Sequence, residues 1–396
     1  MNAIVRALFL IVLLSAARGA LATCDPDGLQ ESGSIYRICM PDFFYNGRLV
    51  VWAHGFQDAG TPVQIPEDQL CFADICLPDL LTSLGFAFAT NSYSKTGLAV
   101  RQGMDDIVDL VNIFAEQKGP PDRVYLTGAS EGGIITALLT EQRPDVFAAG
   151  LAACGPIGDF RFQIDYFGDA RVVFEAFFPG LIPGDPLHPP QQLIDVWSDY
   201  YDTVVKPVVF AAGNRGKLAQ WAAVARLPAD PANHEETLEQ SVSDVLRYSV
   251  VNLNDAVDTI GGFPYGNETR VYSGSANDEL LNEIVERVRS DPRANAEMIA
   301  HYDTTGELDI PLVTIHTTRD QQVPFGHERL YAGKTYKSGD FGVLHEPFWY
   351  ERYGHCNFTS DEALAAFFEM LDLAGDTEGA QTVKDYRSRT RGAVRQ

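Results

Sequence analysis

Short apolar runs, separated by polar and glycine-rich segments, recur through the first 155 residues and return once after residue 305. Runs of this length bounded by turn residues are typical of buried strands. The predicted strands are Ser34–Met40, Arg48–Ala53, Gly85–Asn91, Arg123–Thr127, Ala148–Cys154 and Ile310–Thr318. Apolar residues spaced three and four apart predict a helix over Met104–Lys118, and further helices over Gly133–Leu139 and Asp361–Leu373. Strands that alternate with helices predict an α/β fold, with a mostly parallel sheet and helices on both faces.

A Gly-Ala-Ser-Glu-Gly segment at 128–132 lies between one predicted strand and the helix that follows it. In this context Gly-x-Ser-x-Gly predicts a nucleophile elbow, a sharp turn that presents Ser130 above the sheet. A side chain at Gly128 or Gly132 would collide with the neighbouring strand or helix, and the strained turn also favours glycine. The alternative is an ordinary helix-capping serine.

An acid and a histidine follow in the chain order that this chemistry requires, Ser then Asp then His. Asp320 lies on the loop after the predicted strand 310–318, and His355 lies on a loop just before the last predicted helix. We predict that His355 takes and returns the Ser130 proton, and that Asp320 orients and stabilises the imidazole. The alternatives for these roles are Asp303, Asp309, His54, His316 and His327.

His54-Gly55-Phe56 follows the predicted strand 48–53. A His-Gly pair at this place predicts one donor of an oxyanion hole, here the backbone N–H of Phe56, with the N–H of Glu131 as the second. The alternative is a plain strand-to-loop turn.

These four places together resemble the α/β-hydrolase superfamily of serine hydrolases, and the resemblance covers about residues 34–373. It implies the α/β-hydrolase fold and a Ser130–His355–Asp320 triad. The His355-Cys356 pair is also similar to the tannase and feruloyl esterase family, where a cysteine after the histidine is bonded to one just before the serine. Here Ala129 precedes Ser130, which departs from that pattern.

The composition fits a globular enzyme and excludes some partners. The chain has 396 residues, 45% of them hydrophobic, which is enough for one large α/β core and an insertion. Its formal net charge of −24 makes binding to nucleic acid improbable. We expect a small-molecule or polymeric ester as the substrate, and neither a cofactor nor a metal. No prediction of oligomeric state follows.

The first 22 residues predict an export signal. Arg6 precedes an apolar stretch at 7–17, and Ala20-Leu21-Ala22 matches a cleavage site, so the mature chain would start at Thr23. A lipoprotein signal that ends at Cys24 is the alternative. We therefore expect a secreted or periplasmic protein without a membrane span.

Six cysteines follow the predicted cleavage site, an even number that favours disulfides in an oxidising compartment. Six cysteines allow 15 connectivities. The preferred pairing is Cys24–Cys39, Cys71–Cys76 and Cys154–Cys356. The last bridge would hold the His355 loop near the elbow. Metal binding is the alternative, but the cysteine spacing does not favour it.

The stretch 156–304 is far longer than one strand–helix unit requires. It predicts a helical cap inserted between core segments 23–155 and 305–375, with helices around Gln191–Asp202, Gly216–Ala225 and His234–Asn254. Phe160 and Phe162 of this cap, and Tyr93 of the core, are predicted to line the substrate pocket. The alternative is that the aromatics only hold the cap to the core. Residues 376–396 predict a basic, solvated C-terminal tail.

Three classes of function remain open. An esterase that forms an acyl-enzyme is favoured, a peptidase or amidase of the prolyl-oligopeptidase-like branch is the main alternative, and a non-catalytic hydrolase-like binding protein is the third. The complete Ser–Asp–His set argues against the last. The absence of a β-propeller repeat in the sequence favours the esterase.

Overall fold

The computed structural model describes residues 22–72 and 75–393. The predicted signal peptide therefore lies outside the described residues, apart from Ala22. Within this part of the chain, no helix is both long enough and apolar enough to cross a bilayer.

A single large sheet organises the molecule. Its strands follow the order β1-β3-β7-β4-β8-β9-β10-β11, with β2 paired to β3. The strands are β1 (Thr23–Cys24), β2 (Gly28–Leu29), β3 (Ile35–Met40), β4 (Arg48–Ala53), β7 (Ala87–Asn91), β8 (Arg123–Ala129), β9 (Ala149–Ala153), β10 (Leu312–Arg319) and β11 (His345–Tyr353), and a separate hairpin pairs β5 (Cys71–Phe72) with β6 (Ile75–Cys76). All pairs from β7 to β11 are parallel, whereas β3 is antiparallel to β7. The predicted mostly parallel sheet is confirmed.

Helices cover both faces of this sheet. The helices of the core are α1 (Leu77–Ser83), α2 (Val100–Lys118), α3 (Glu131–Gln142), α13 (Gly326–Ser338), α14 (Ser360–Leu373) and α15 (Thr377–Ala393). Alternate residues of a strand point to opposite faces. Accordingly, Leu49 and Val51 of β4 pack in a cluster with α2 and α3, while Val50 and Trp52 pack in another with α1 and α14. The central strands are therefore buried on both sides, as their continuous apolar runs predict.

The named elements between β9 and β10 are all helices. They include α4 (Phe160–Phe177), α5 (Gln191–Asp195), α6 (Trp197–Tyr200), a π-helix (Tyr201–Val205), α7 (Lys206–Val209), α8 (Arg215–Ala225), α9 (His234–Val251), α10 (Leu253–Ile260), α11 (Asp278–Ile284) and α12 (Pro292–His301). Most of these helices share a hydrophobic cluster of their own around Trp221 and Phe174, whose rings meet edge to face at 4.9 Å. Ile260 of α10 and Met298 of α12 instead pack in the cluster with α2 and α3. The Trp221 Nε1–H donates to the Ala170 carbonyl at 2.9 Å, so this buried polar group is satisfied.

The expectation of a solvated C-terminal tail requires correction. The described part of the tail forms α15, which packs on α14 and buries Ala380 and Val383 in the core. Asp376, just before α15, bonds to Arg48 Nε at 2.5 Å and accepts from the Tyr125 hydroxyl at 2.8 Å. Basic residues dominate the composition of this segment. Ala380 and Val383 are three residues apart and therefore lie on one face of the helix, which packs on α14.

Candidate active site

Ser130 occupies a sharp turn between β8 and α3. Its backbone has φ 58° and ψ −120°, a region that residues other than glycine rarely adopt. The Ser130 N–H donates to the Ala153 carbonyl at 2.9 Å, which ties the turn to the adjacent strand β9. The serine side chain makes no capping hydrogen bond to α3. The geometry therefore matches the predicted elbow and not the capping alternative.

The glycines of the turn are required by close backbone packing. A Cβ atom at Gly132 would overlap the carbonyl group of Ala53, and one at Gly128 would overlap the carbonyl oxygen of Gly132. Both obstacles are main-chain atoms, one of the neighbouring strand β4 and one of α3 itself, so they cannot move aside as a flexible side chain would. The packing explains why the segment needs glycine on both sides of Ser130.

Asp320 follows β10 directly and is almost completely buried. One carboxylate oxygen accepts from the backbone N–H groups of Gln322 and Val323 at 2.8 and 2.9 Å, and the other accepts from His355 Nδ1 at 2.7 Å. Burial opposes ionisation, but the charges and hydrogen bonds of His355 and His316 outweigh it and hold the pKa of Asp320 well below its usual range. Asp320 is therefore a carboxylate that orients the His355 ring.

His355 lies just after β11, on a loop fixed by a disulfide. Cys356 pairs with Cys154, which follows β9, and their Cα atoms are 5.4 Å apart. Both cysteines have positive φ angles, 48° and 47°. The Cys356 sulfur lies 3.5 Å from His355 Nε2, so the bridge is adjacent to the nitrogen that faces away from Asp320. Because these two sulfurs are bonded to each other, they are not thiolates available to a metal.

All three expected disulfide pairings are present: Cys24–Cys39, Cys71–Cys76 and Cys154–Cys356. The partner of Cys356 is thus Cys154, directly after β9, and not the residue that precedes Ser130 in the sequence. This pairing differs from that of the tannase and feruloyl esterase family.

His54 and His327, two alternatives for the catalytic base, are buried in contacts of their own. His54 is buried, stacks on Tyr93 with 3.8 Å between ring centroids, and has a pKa lowered to about 4 by burial. His327 is buried beside Gln163 Oε1, 3.1 Å from its Nε2, and burial also lowers its pKa. Of the eight histidines, only His355 is among the described residues that line a pocket with Ser130.

His316 of β10 forms a buried contact between two acids. Its Nε2 lies 3.5 Å from Asp320 and its Nδ1 lies 3.4 Å from Glu328 of α13. Burial lowers the pKa of this imidazole, but the two carboxylates outweigh burial and raise it to about 10. The carboxylates of Asp320 and Glu328 thus favour the protonated form of His316. Asp320 is four residues and Glu328 twelve residues further along the chain, but neither spacing by itself predicts a contact with His316.

The predicted oxyanion donors lie beside the nucleophile. The Gly55 backbone packs against the elbow, since a Cβ there would be 3.2 Å from Ser130 Cβ. The Gly55 N–H donates to Gln69 Oε1 at 2.6 Å, which anchors the loop that carries Phe56. Glu131 begins α3, where backbone N–H groups have no partner within the helix. The structure thus brings Phe56 and Glu131 to Ser130, and their role in binding an oxyanion stays a prediction.

Two mainly apolar pockets meet at Ser130. The first, here the insertion pocket, has a volume of about 130 Å³ and extends beneath α4, α9 and α10. The second, here the sheet pocket, has a volume of about 320 Å³ and extends between the sheet, α1 and α14. The residues common to both walls are Phe56, Ser130, Tyr248 and Gln322.

Of the three residues predicted to line the substrate pocket, Phe160 lines a described pocket, whereas Phe162 and Tyr93 do not. Phe160 lines the insertion pocket and also packs on Tyr302. Phe162 packs edge-on against His327 and is not among the described lining residues. Tyr93 is fully buried, and its hydroxyl donates to the His54 carbonyl at 2.9 Å, so it supports the loop before Phe56 instead of forming a pocket wall. This is a correction: the strand before Tyr93 does lead to the catalytic edge, but the side chain turns into the core.

Tyr248 of α9 is the main pocket residue that the sequence reasoning missed. Its ring stacks on Phe167 at 4.9 Å and meets Phe56 edge-on at 5.7 Å. Its hydroxyl donates to Gln322 Oε1 at 3.1 Å. Tyr248 therefore lies between the two pockets. Its position in a predicted helix offered no signal of this, because the helix face that meets the core depends on tertiary packing.

Glu131 lines the insertion pocket, and the pKa of its carboxyl group is raised. Burial raises its pKa to about 8, although the Ala99 N–H donates to Oε1 at 2.8 Å and opposes the shift. Burial thus favours the neutral form of this carboxyl group beside the nucleophile.

Residues 82–169 match the model of the prolyl oligopeptidase family. Poly(3-hydroxyalkanoate) depolymerase C of Paucimonas lemoignei is 27% identical over 186 residues, which are 47% of this chain and 37% of that enzyme. The chain thus spans little more than a third of the length of this curated relative.

Among solved structures, the fold is similar to that of lipase A of Candida antarctica, at 13% identity and a TM-score of 0.46, with 91% of this chain and 83% of that chain covered. It is also similar to an acylaminoacyl peptidase bound to a chloromethyl ketone, at 12% identity and a TM-score of 0.45, with 89% and 41% covered.

Proposed function

We propose that this chain, a serine hydrolase of the α/β-hydrolase superfamily, cleaves carboxylic esters through Ser130, His355 and Asp320. The observation that carries the proposal is the 2.7 Å hydrogen bond from His355 to the buried Asp320, with His355 and Ser130 in the wall of one pocket. A nucleophile, a base and an orienting acid in this relation are the elements of covalent acyl transfer.

In the acylation step, His355 Nε2 takes the proton of Ser130 Oγ as the oxygen attacks the ester carbonyl carbon. The carbonyl oxygen becomes an oxyanion, which the N–H groups of Phe56 and Glu131 stabilise by roughly 3 kcal/mol each. The intermediate then collapses, the bond to the alcohol oxygen breaks, and Nε2 returns the proton to that oxygen.

In the deacylation step, water replaces the alcohol. His355 takes a proton from the water, the hydroxyl oxygen attacks the acyl carbon, and the carboxylic acid leaves as Ser130 Oγ recovers the proton. Asp320 holds the Nδ1–H of His355 throughout, which keeps Nε2 free as the base and stabilises the imidazolium.

The apolar pocket walls favour an ester over a peptide substrate with a charged amino terminus. An ammonium group is expensive to bury without a paired carboxylate. The depolymerase relative, whose named substrate is a polyester, supports the same preference. The match to the prolyl oligopeptidase family keeps a peptidase or amidase as the second candidate.

We also propose that the protein is exported and that residues 156–304 form a cap. The three disulfides support an oxidising compartment. Contacts across the site support the cap: Asp255 of α10 accepts from Lys95 Nζ at 2.9 Å and from the Leu98 N–H at 2.7 Å.

A substrate panel tests the reaction. Wild type should hydrolyse p-nitrophenyl acyl esters faster than aminoacyl p-nitroanilides, and Ser130→Ala should lower kcat by roughly 10⁴-fold or more. Ser83→Ala, on the exposed side of α1, is the matched control.

Both variants should keep the wild-type unfolding midpoint, and a fluorophosphonate should label wild type and Ser83→Ala but not Ser130→Ala. Faster cleavage of anilides would favour the peptidase, and an active Ser130→Ala enzyme would exclude the mechanism.

A further inference from the structure

The two pockets approach Ser130 from different layers of the molecule. The insertion pocket is enclosed by helices that follow β9, and residues such as Ile164, Phe167 and Ala256 contribute to its wall. The sheet pocket is enclosed by core elements, with Leu81 of α1 and Ala363 and Phe367 of α14. An ester bound at Ser130 has two substituents, one on the carbonyl carbon and one on the oxygen. The site thus has one pocket for each.

The histidine distinguishes the two pockets. His355 and Cys356 line the sheet pocket, and His355 is not among the described residues of the insertion pocket. A general acid must come within hydrogen-bonding reach of the atom it protonates, about 2.6–3.2 Å. In acyl transfer from Ser130 that atom is the leaving alcohol oxygen. The alcohol must therefore enter on the side where His355 lies.

We propose that the sheet pocket holds the leaving alcohol and that the insertion pocket holds the acyl group. This inference rests on the proposed function, and it defines the substrate class as esters with apolar groups on both sides of the scissile carbonyl. Apolar surface buried in both pockets supplies the binding free energy, because each wall is formed mainly by aliphatic and aromatic side chains.

The two volumes set different size limits. An apolar cavity of roughly 150 Å³ holds one benzene ring. The insertion pocket, at about 130 Å³, therefore fits a short or single-ring acyl group. The sheet pocket, at about 320 Å³, is more than twice as large and fits a longer alcohol. Asp68 is among its lining residues and is exposed, which disfavours an anionic alcohol.

Two alanines offer a matched test, because each is half-buried on a helix that lines only one pocket. Ala256 belongs to α10 and the insertion pocket, and Ala363 belongs to α14 and the sheet pocket. Two ester series report on the two sides: methyl esters of acids from acetic to octanoic, and acetate esters of alcohols from methanol to octanol. The readout is the ratio of kcat/KM for longer and shorter members of one series.

Ala256→Phe should lower the long-to-short ratio in the acid series, and Ala363→Phe should lower it in the alcohol series. The expected loss is roughly fourfold for each methylene that no longer fits, from about 0.8 kcal/mol per buried methylene. The other series should change less than twofold in each variant. Ala219→Phe, at an exposed position of α8, is the control and should change neither ratio.

Ala256→Leu and Ala363→Leu keep the test available if a phenylalanine variant does not fold. The assignment is overturned if the two variants exchange their effects, affect both series equally, or affect neither. A wild-type enzyme that is inactive on every ester would instead overturn the proposed function, and this inference with it.

Discussion

The nucleophile and the histidine of the candidate site are held in place by different means. Ser130 is held by main-chain packing at a strained turn, where glycine lets α3 approach the Ala53 carbonyl of β4 and the Ser130 N–H donates to the Ala153 carbonyl. His355 is held by side-chain links, through the bridge from Cys356 to Cys154 and the hydrogen bond to Asp320. One end of the site therefore depends on close main-chain packing, and the other depends on a disulfide and a side-chain hydrogen bond.

This difference predicts that the elbow tolerates change least. Gly132→Ala should abolish turnover and lower or eliminate the yield of folded protein, because the new Cβ overlaps the main chain of β4 at Ala53. Gly333→Ala is the matched control: this α13 position is exposed, with no atom within 4 Å of an added Cβ. It should stabilise the protein by about 0.5–1 kcal/mol.

Thermal unfolding and fluorophosphonate labelling measure both variants. If Gly132→Ala labels at the wild-type rate, the elbow does not depend on this close approach.

Removal of the Cys154–Cys356 bridge should misplace the His355 imidazole without unfolding the protein. The double variant Cys154→Ala/Cys356→Ala removes a bridge with a sequence separation of 202 residues, and loop-closure entropy gives it up to about 5 kcal/mol of stabilisation. Turnover should fall more than substrate affinity, because a loosened loop misplaces the imidazole.

The double variant Cys24→Ala/Cys39→Ala is the control, since this bridge joins β1 to β3 with a separation of 15 residues and is worth about 3 kcal/mol. It should lower the unfolding midpoint without changing kcat. Chemical denaturation and steady-state kinetics on both proteins separate the two effects. Equal kcat values in the two double variants would show that packing alone holds the His355 loop.

Asp320, which orients His355, is itself in contact with the buried His316, and this contact gives a pH-dependent prediction. At neutral pH, His316→Asn should leave Asp320 and Glu328 without their shared partner and lower the free energy of unfolding by roughly 3–5 kcal/mol. The folded-state pKa of His316 is raised from 6.5 to about 10. The contribution of His316 to the free energy of unfolding is therefore complete below pH 6.5 and is lost as the pH rises through 10.

Unfolding free energies of wild type and His316→Asn should consequently differ most near pH 6 and converge toward pH 10.5. His301→Asn, at a half-exposed histidine of α12, is the control for the substitution itself. A constant difference between pH 6 and 10.5 would mean that His316 is neutral in the folded protein.

Much of the core and the elbow could be predicted because the signals are local. Six predicted strands correspond to β3, β4, β7, β8, β9 and β10, since a run of four to eight apolar residues bounded by turns leaves few alternatives. The helices α1, α4 and α13 and the strand β11 are among the elements that the sequence patterns did not predict. The burial of β11 alternates only after its first residues, which weakens its strand pattern.

The sequence by itself determined the mostly parallel sheet, the turn at Ser130 and an even set of cysteines, because these depend on residue order, on side-chain period and on glycine at defined positions. Only the tertiary structure decided that Tyr93 enters the core while Tyr248 separates two pockets, and that His316 lies between two acids. The walls of the two pockets are formed by side chains from segments far apart in the chain. Their positions follow from how helices and strands pack on one another, and no local pattern in the chain encodes that packing.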